Sequence, residues 1–275
     1  LEAIDFLAAA FENTVNADSY SAEVEQTITQ EITSGTGRTA VEVVNEITQT
    51  IALEVEQGDE GPNFSGVVEQ SIVSDMGTVS NNIELSLELV NVDGVLYARA
   101  TDVPAQLASS FPEDWVNVTE DGQRYPFLNT LNVPTPELLY NSVLAMPMDA
   151  DSLLAVEEVD SEEIDGQNMR VFEVEYDAQA MFESESMAAL VAGMSGLFPG
   201  VDVADVISQL AEGSTMTFTA WVGEDDELVH RVDSTIEIDA DLQVSGMEAR
   251  MVQSVESSVS FADFGEDFEI EAPDL

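Results

Sequence analysis

Residues 20–56 decide the fold, and they read YSAEVEQTITQEITSGTGRTAVEVVNEITQTIALEVE. On both sides of its centre, uncharged side chains alternate with acidic and other polar ones at a period of two. The alternation breaks at SGTG, residues 34–37, which predicts a turn. Such alternation is typical of antiparallel strands with one wet and one covered face. The stretch therefore predicts a hairpin whose strands are longer than the usual five or six residues.

The same period continues along the rest of the chain. Further strands are predicted over residues 67–73, 79–89, 95–99, 115–119, 156–164, 171–176, 216–222, 228–238 and 242–261. Apolar residues spaced three and four apart predict helices over residues 1–15, 135–146, 181–191 and 203–210. A single sheet of about ten or eleven strands must curl, and only the helices are available to cover its apolar side. We predict an α+β fold, a strongly curved antiparallel β-sheet (half-barrel) wrapped over a few α-helices, with residues 1–275 as one domain.

The composition excludes several classes of function. The chain has 275 residues and a mass of 29.7 kDa, and its 56 acidic and 6 basic residues give a net charge of −50. It contains no cysteine, and every basic residue is an arginine. Thiol chemistry, Cys-ligated metals and Schiff-base lysines therefore lack their atoms. A surface this negative repels nucleic acid, and the longest apolar stretch, residues 187–201, is too short and interrupted to span a bilayer.

Short segments, taken in their order along the chain, resemble a known family. They are VDGVLYAR (92–99), WVNV (115–118), IDGQ (164–167), VFEV (171–174), TAWV (219–222), LVHR (228–231), FADFG (261–265) and IEAP (270–273). This series resembles the LolA/LolB-like superfamily and, within it, the LppX/LprG group of envelope lipoproteins. The resemblance implies a half-barrel over helices with an apolar cavity that accepts acyl chains. It also implies export and an N-terminal anchor on a lipidated cysteine, which this sequence does not contain.

Apolar residues of the predicted helices and strands are candidates for the lining of that cavity. Residues 187–200, MAALVAGMSGLFPG, combine Met, Gly and a Leu-Phe pair, which favours a mobile flap at a lipid portal. The alternative is a helix end with a Gly cap whose apolar residues belong to the core. Methionine likewise suits either an adaptable chamber or an ordinary core. The predicted cavity and portal residues are Leu139, Val143, Met146, Leu190, Met194, Leu197, Phe198, Met216 and Met251.

The sequence offers no motif for catalysis or for a resident metal. His230 is the only histidine, it lies in an alternating strand, and no Gly-x-Ser-x-Gly occurs. The acidic groups at 149–151 and 224–227 do not match the calcium-binding loop, so we expect a diffuse shell of counterions. We predict no catalytic residues, no cofactor and no metal.

Together these observations favour a non-enzymatic lipid-binding or carrier protein of the cell envelope. The expected partner is a lipid or other amphiphile, and no nucleic acid. We expect a monomer that is exported and tethered by a lipid anchor preceding Leu1. The alternative is a surface-anchored interaction or sensor module with the same fold and a filled core. A continuous apolar cavity of several hundred Å³ would favour the carrier, and a packed interior the module.

We expect the stability of the protein to rise with salt. Fifty net charges on a surface of roughly 11,600 Å² lie about 15 Å apart. The Debye length is roughly 8 Å at physiological salt and ~30 Å in dilute buffer, so the repulsion between these charges is screened in salt but not in dilute buffer. The absence of lysine favours adaptation to a salty medium over the alternative, an acidic secreted protein of an ordinary organism. The thermal unfolding midpoint is expected to increase clearly from dilute buffer to molar NaCl. A flat response would refute this interpretation.

Overall fold

The computed structural model describes residues 2–34, 41–58, 61–75, 77, 80–121, 153–164, 166–177, 179–180, 203–244 and 247–275. The helices in these ranges are α1 (Glu2–Val15), α2 (Val118–Asp121) and α3 (Val203–Glu212), and a 3-10 turn covers Ala108–Ser110. The strands are β1 (Ser19–Ser34), β2 (Val41–Gly58), β3 (Gly61–Asp75), β4 (Ser80–Val92), β5 (Val95–Asp102), β6 (Val116–Asn117), β7 (Leu153–Ile164), β8 (Gln167–Tyr176), β9 (Ser214–Gly223), β10 (Val229–Val244) and β11 (Met247–Ala262). The predicted helices over 135–146 and 181–191 lie outside the described residues. No helix within the described ranges is both long and apolar enough to cross a membrane.

The described strands form one 11-stranded antiparallel sheet in the order β6-β5-β4-β3-β2-β1-β11-β10-β9-β8-β7. The sheet is open, with β6 and β7 at its edges. Its centre is the ladder between β1 and β11, which joins an early strand to the last one. The predicted fold class, a curved antiparallel half-barrel over helices, is confirmed. The single domain over residues 1–275 remains a prediction.

The sheet has an inner face and an outer face, and side chains along each strand point alternately to one and the other. Helix α1 covers one end of the inner face. The inner face comprises the even-numbered residues of β1, β3, β9 and β10 and the odd-numbered residues of β2, β4 and β11. None of these inner-face positions in the seven described strands is charged, whereas the outer face carries the carboxylates. This division follows from the high cost of burying an unpaired charge.

Helix α1 closes the inner face at one end of the sheet. Leu7, Ala10 and Phe11 are spaced three and four residues apart, so they lie on one side of the helix, and all three are buried. The Phe11 ring meets the edge of Phe218 on β9, with their centroids 6.3 Å apart. Full burial of a Leu or Phe side chain stabilises a fold by about 1.5–3 kcal/mol. The apolar stripe of α1 thus covers this end of the core.

Thr14 ties the last turn of α1 to the sheet. Its side chain is fully buried. The Thr14 hydroxyl donates a hydrogen bond to the Ala10 carbonyl oxygen at 2.8 Å and accepts one from the Val229 N–H at 2.8 Å. The Gln57 side-chain amide also donates to the Val15 carbonyl oxygen, which satisfies part of the helix C-terminus. These bonds hold the end of α1 against β2 and β10.

Two boundaries differ from the sequence prediction. The predicted break between 238 and 242 is wrong, because β10 continues to Val244 and the next strand begins at Met247. Ala240 and Leu242 extend the inner-face alternation and are buried, and the Asp239 N–H donates to the Gly213 carbonyl oxygen at 2.9 Å.

The second difference concerns the predicted strand over 115–119. Only Val116–Asn117 form a strand, and the helical turn α2 follows directly. The Asn117 side-chain oxygen accepts a hydrogen bond from the Glu120 N–H at 3.1 Å, as an N-cap residue does. This local capping bond competes with strand pairing and ends β6.

Replacing Thr14 with valine should destabilise the protein by about 1–3 kcal/mol, because it leaves the buried Val229 N–H without an acceptor. Urea unfolding would measure the change as a lower midpoint at unchanged slope. Thr29→Val is the matched control, since Thr29 is exposed on the outer face of β1 and we expect a change within about 0.5 kcal/mol. Equal effects of the two substitutions would contradict the role given to Thr14.

Candidate functional site

The register of the strands arranges the inner-face residues in rows that run across the sheet. One row that crosses the central strands is apolar and buried: Val24, Ile51, Val68, Val232 and Val259. The next row, which we call the glutamine row, is polar and half-buried: Gln26, Gln49, Gln70, Ser257 and Ser234. The change from one row to the next marks the end of the dry core.

An apolar row lies beyond the glutamine row, and we call it the isoleucine row. Its members are half-buried and belong to six neighbouring strands: Ile83, Ile72, Ile47, Ile28, Val255 and Ile236. The same row continues on β9 and β8 with Met216 and Tyr176, which are both buried. The isoleucine row is thus a continuous apolar band that is covered at its Tyr176 end and partly accessible along the centre of the sheet.

In a fourth row, which we call the amide row, the polar side chains form hydrogen bonds with one another. The Ser74 hydroxyl donates to the Asn45 side-chain oxygen at 2.8 Å, and the Asn45 amide donates to the Gln30 side-chain oxygen at 3.2 Å. The Gln30 amide in turn donates to the Gln253 side-chain oxygen at 3.0 Å. This chain of bonds crosses four strands, so the amide row has a structural role in holding their register.

Two of the predicted cavity residues lie on the inner face. Met216 is buried in the isoleucine row on β9, and Met251 is half-buried on β11, opposite Ile32 and Ala240. They belong to different rows, and β10 lies between their strands, so the structure does not bring them together. The other predicted cavity and portal residues lie outside the described residues: Leu139, Val143, Met146, Leu190, Met194, Leu197 and Phe198.

A cavity of about 550 Å³ lies where β8 ends, β9 begins and α3 joins β9. Its buried wall includes Tyr176, Met216 and Ala211. Its rim carries exposed residues, among them Leu154, whose side chain is 64% exposed, and Glu212. The cavity therefore connects the buried end of the isoleucine row with solvent.

Tyr176 is the unusual residue of this cavity wall, because its hydroxyl is buried. Tyr176 is only 4% exposed, and its hydroxyl has no hydrogen-bond partner in the described structure. Burial raises the pKa of this hydroxyl far above its ordinary value, so the group stays protonated and can donate. Its ring lies against Phe218, with the two centroids 5.7 Å apart, which fixes the side chain. A held donor without an acceptor is a feature that a ligand can satisfy.

A second concave region, the outer groove, lies on the opposite face. It has a volume of about 720 Å³ and crosses the outer side of β11, β1, β2, β3 and β4. Small residues such as Ser21, Ala52 and Ser65 form much of its floor, and Trp115 stands at one end beneath the Arg99 guanidinium. Its carboxylates are Glu23, Glu54, Glu88 and Asp263.

The described arginines are all engaged by carboxylates. The pairs are Arg99 with Glu88, Arg170 with Glu158, Arg231 with Asp233 and Arg250 with Asp239. Arg38 and Arg124 lie outside the described residues. Arg170 lies on β8 in register with the inner-face residue Val222, and its guanidinium covers the ring of Phe6 on α1. The inner-face positions of the seven described strands β1–β4 and β9–β11 carry no arginine.

His230 lies at the start of β10 and contacts the turn that precedes this strand. Its Nε2 lies 2.9 Å from the Asp226 carboxylate, which also accepts hydrogen bonds from the Gln167 side chain at 2.8 Å and the Leu228 N–H at 3.1 Å. Burial acts to raise the pKa of Asp226, but these hydrogen bonds outweigh it and the pKa is lowered. No group of three or more possible metal ligands lies together within the described ranges.

The comparisons with known proteins found distant structural neighbours. No family model and no curated protein matches the chain. Similar solved structures include LprF from Mycobacterium bovis, with 13% identity, 99% of this chain and 97% of that chain covered, and a TM-score of 0.41. The lipoprotein LppX from Mycobacterium tuberculosis has 10% identity, 98% coverage of both chains and a TM-score of 0.35. These neighbours confirm the predicted resemblance to the LppX/LprG group, but likenesses this distant do not carry a function to this chain.

Sequence reasoning missed Tyr176 and the rows, although part of the signal is visible in one strand. The segment QTITQEI, residues 26–32, places Gln and Ile alternately at every second position. On this face of the strand, Gln and Ile each recur at every fourth residue. When neighbouring strands pair in register, this spacing predicts polar and apolar rows that alternate. Nothing in the sequence around Tyr176 distinguishes it from an ordinary core tyrosine.

Asp226→Asn should lower stability by about 1 kcal/mol near neutral pH, because a neutral amide accepts the same hydrogen bonds more weakly. The folded-state pKa of Asp226 is lowered, so its contribution is present above the unfolded value of about 3.9 and is lost as the pH falls through the folded value. The difference between variant and wild type should therefore shrink below about pH 4. Urea midpoints over a pH series would measure it.

Asp225→Asn is the control for this series, because Asp225 is the exposed neighbour in the same turn. It removes the same charge from the same place. If both variants gave the same pH profile, the hydrogen bonds of Asp226 would not be the cause.

Proposed function

We propose that this protein binds an amphiphile without chemical conversion, and that the hydrocarbon part of the ligand lies along the isoleucine row. The observation that carries the proposal is the contrast between the two faces of the sheet. The protein has a net charge of −50, yet the inner face of seven described strands carries no acidic or arginine residue. A half-buried apolar band, the isoleucine row, crosses that face. A half-covered apolar surface inside an acidic protein is typical of a ligand site.

The energy of hydrocarbon burial is sufficient for such a site. One buried methylene contributes about 0.8 kcal/mol, so a chain of ten carbons supplies roughly 8 kcal/mol before the costs of association. The half-buried side chains of Ile28, Ile47 and Ile72 still have apolar surface that a chain would remove from water. Affinity then needs no polar motif, which agrees with the sequence.

The proposal includes the wider setting that the resemblance implies. The protein is exported, monomeric and attached to the envelope by a lipid anchor outside this sequence. The residues at the predicted portal, Leu190, Met194, Leu197 and Phe198, and those of the predicted helix, Leu139, Val143 and Met146, complete the apolar enclosure. Support for this part comes from the resemblance and from the apolar character of those stretches alone.

A second candidate function is that of an interaction module that uses the outer groove. The volume of the groove, about 720 Å³, and Trp115 at its end favour this alternative. Val67 lies on the outer face of β3, lines this groove and is 38% exposed. A substitution there separates the two candidates.

Ile72→Asp should reduce binding of the uncharged fluorophore N-phenylnaphthylamine by about tenfold or more, because it places a carboxylate in the isoleucine row. Val73→Asp is the matched control: it adds the same charge to the next residue of β3, on the outer face, at a side chain that is 37% exposed. We expect its affinity to stay within about twofold of wild type. Fluorescence titration gives the affinities, and circular dichroism checks that each variant is folded.

The third variant, Val67→Asp, identifies the face that binds. Loss of binding in Val67→Asp with retention in Ile72→Asp would place the ligand in the outer groove and contradict the proposal. Failure of the wild-type protein to bind the fluorophore, together with the absence of any co-purified lipid in native mass spectrometry after organic extraction, would remove the carrier function.

A further inference from the structure

The buried hydroxyl of Tyr176 lies at the covered end of the isoleucine row. Tyr176 is in register with Met216 on β9, which is in register with Ile236 on β10. Four strand spacings of about 4.8 Å separate β8 from β1, so the band from Tyr176 to Ile28 is about 19 Å long. A hydrocarbon chain that lies on this band therefore ends beside the cavity that Tyr176 lines.

An unpartnered hydroxyl at this place needs an explanation. Buried polar groups in folded proteins are nearly always hydrogen-bonded, and an exception costs free energy in the unliganded state. Tyr176 is 4% exposed, and its hydroxyl is buried without a partner in the described structure. The residue itself is part of the wall of a cavity of about 550 Å³. The neighbouring Ser214 hydroxyl already donates to the Leu210 carbonyl oxygen at 2.6 Å, so it does not fill this role.

We propose that the Tyr176 hydroxyl donates a hydrogen bond to an uncharged acceptor, an ester or amide carbonyl, of an amphiphile whose hydrocarbon chain lies along the isoleucine row. This inference rests on the proposed function and specifies the polar part of its ligand. The hydrocarbon chain is common to all such ligands. Tyr176 distinguishes among them by the polar group at the end of that hydrocarbon chain.

The charges around the cavity select against an anionic acceptor. Glu175, Asp177 and Glu212 all line it, and none of the described residues in its wall is an arginine. A carboxylate or phosphate would therefore enter a field of like charge without a cation to compensate it. An ester or amide carbonyl accepts the hydrogen bond of Tyr176 without that cost.

Tyr176→Phe tests the inference, because it removes one oxygen and keeps the ring against Phe218. The probes are monolaurin, which has an uncharged ester, laurate, which has the same chain length and a carboxylate, and N-phenylnaphthylamine, which has neither. All are measured at one salt concentration by displacement or direct titration. Wild type should bind monolaurin about tenfold or more tighter than laurate.

In Tyr176→Phe the affinity for monolaurin should fall about three- to tenfold, and that for N-phenylnaphthylamine should stay within about twofold. The unfolding midpoint of the free variant should be unchanged or higher, since the variant no longer buries an unpaired hydroxyl. Tyr20→Phe is the matched control: Tyr20 is also buried on the inner face but lies at the α1 end, so both affinities should be unchanged.

Two results would overturn the inference while leaving the proposed function in place. One is an unchanged affinity for monolaurin in Tyr176→Phe with normal binding of N-phenylnaphthylamine. The other is a lower unfolding midpoint of the free variant, which would mean that the hydroxyl is already paired in the unliganded protein. If wild type bound none of the three probes, the proposed function would fail and the inference with it.

Discussion

The inner face of the strands β1–β4 and β9–β11 has to stay free of charge, and this constraint determines the register of those seven strands. Side chains alternate along a strand, so a slip of one residue between β1 and β11 would exchange the two faces. Glu23 and Glu25 would then stand among buried residues such as Val259. Each unpaired buried carboxylate costs several kcal/mol. The acidic composition therefore excludes every register that is shifted by an odd number of residues, because each of these buries carboxylates.

The sequence predicts those features that depend on local periodicity. The β1–β2 hairpin, the helix α1 and the hairpin of β7 and β8 all follow from the spacing of apolar residues along one segment. The prediction fails where a contact distant in sequence decides the boundary. β10 continues through Ala240 because that residue is buried, and because Asp239 bonds to Gly213, which a window of ten residues does not include.

The candidate site was predictable only in its general character. The sequence shows that an apolar face exists, but the rows arise from the register of strands such as β1 and β11, where Gln30 bonds to Gln253 across 223 positions of the chain. Tyr176 becomes exceptional only because its hydroxyl is buried without a partner, which is a property of the assembled cavity. Of the predicted cavity residues, Met216 and Met251 lie on the inner face, and the other seven lie outside the described residues.

Polar side chains on the inner face serve two different purposes, and hydrogen bonding distinguishes them. Ser74, Asn45, Gln30 and Gln253 pair with one another, so the amide row needs no ligand and stabilises the register of four strands. The same logic does not apply to Tyr176, whose hydroxyl stabilises nothing in the described structure. A polar group that contributes no bond to the fold, on a residue in the wall of a solvent-connected cavity, is better explained by a ligand than by packing. The carrier interpretation is therefore strongest at the Tyr176 end of the isoleucine row.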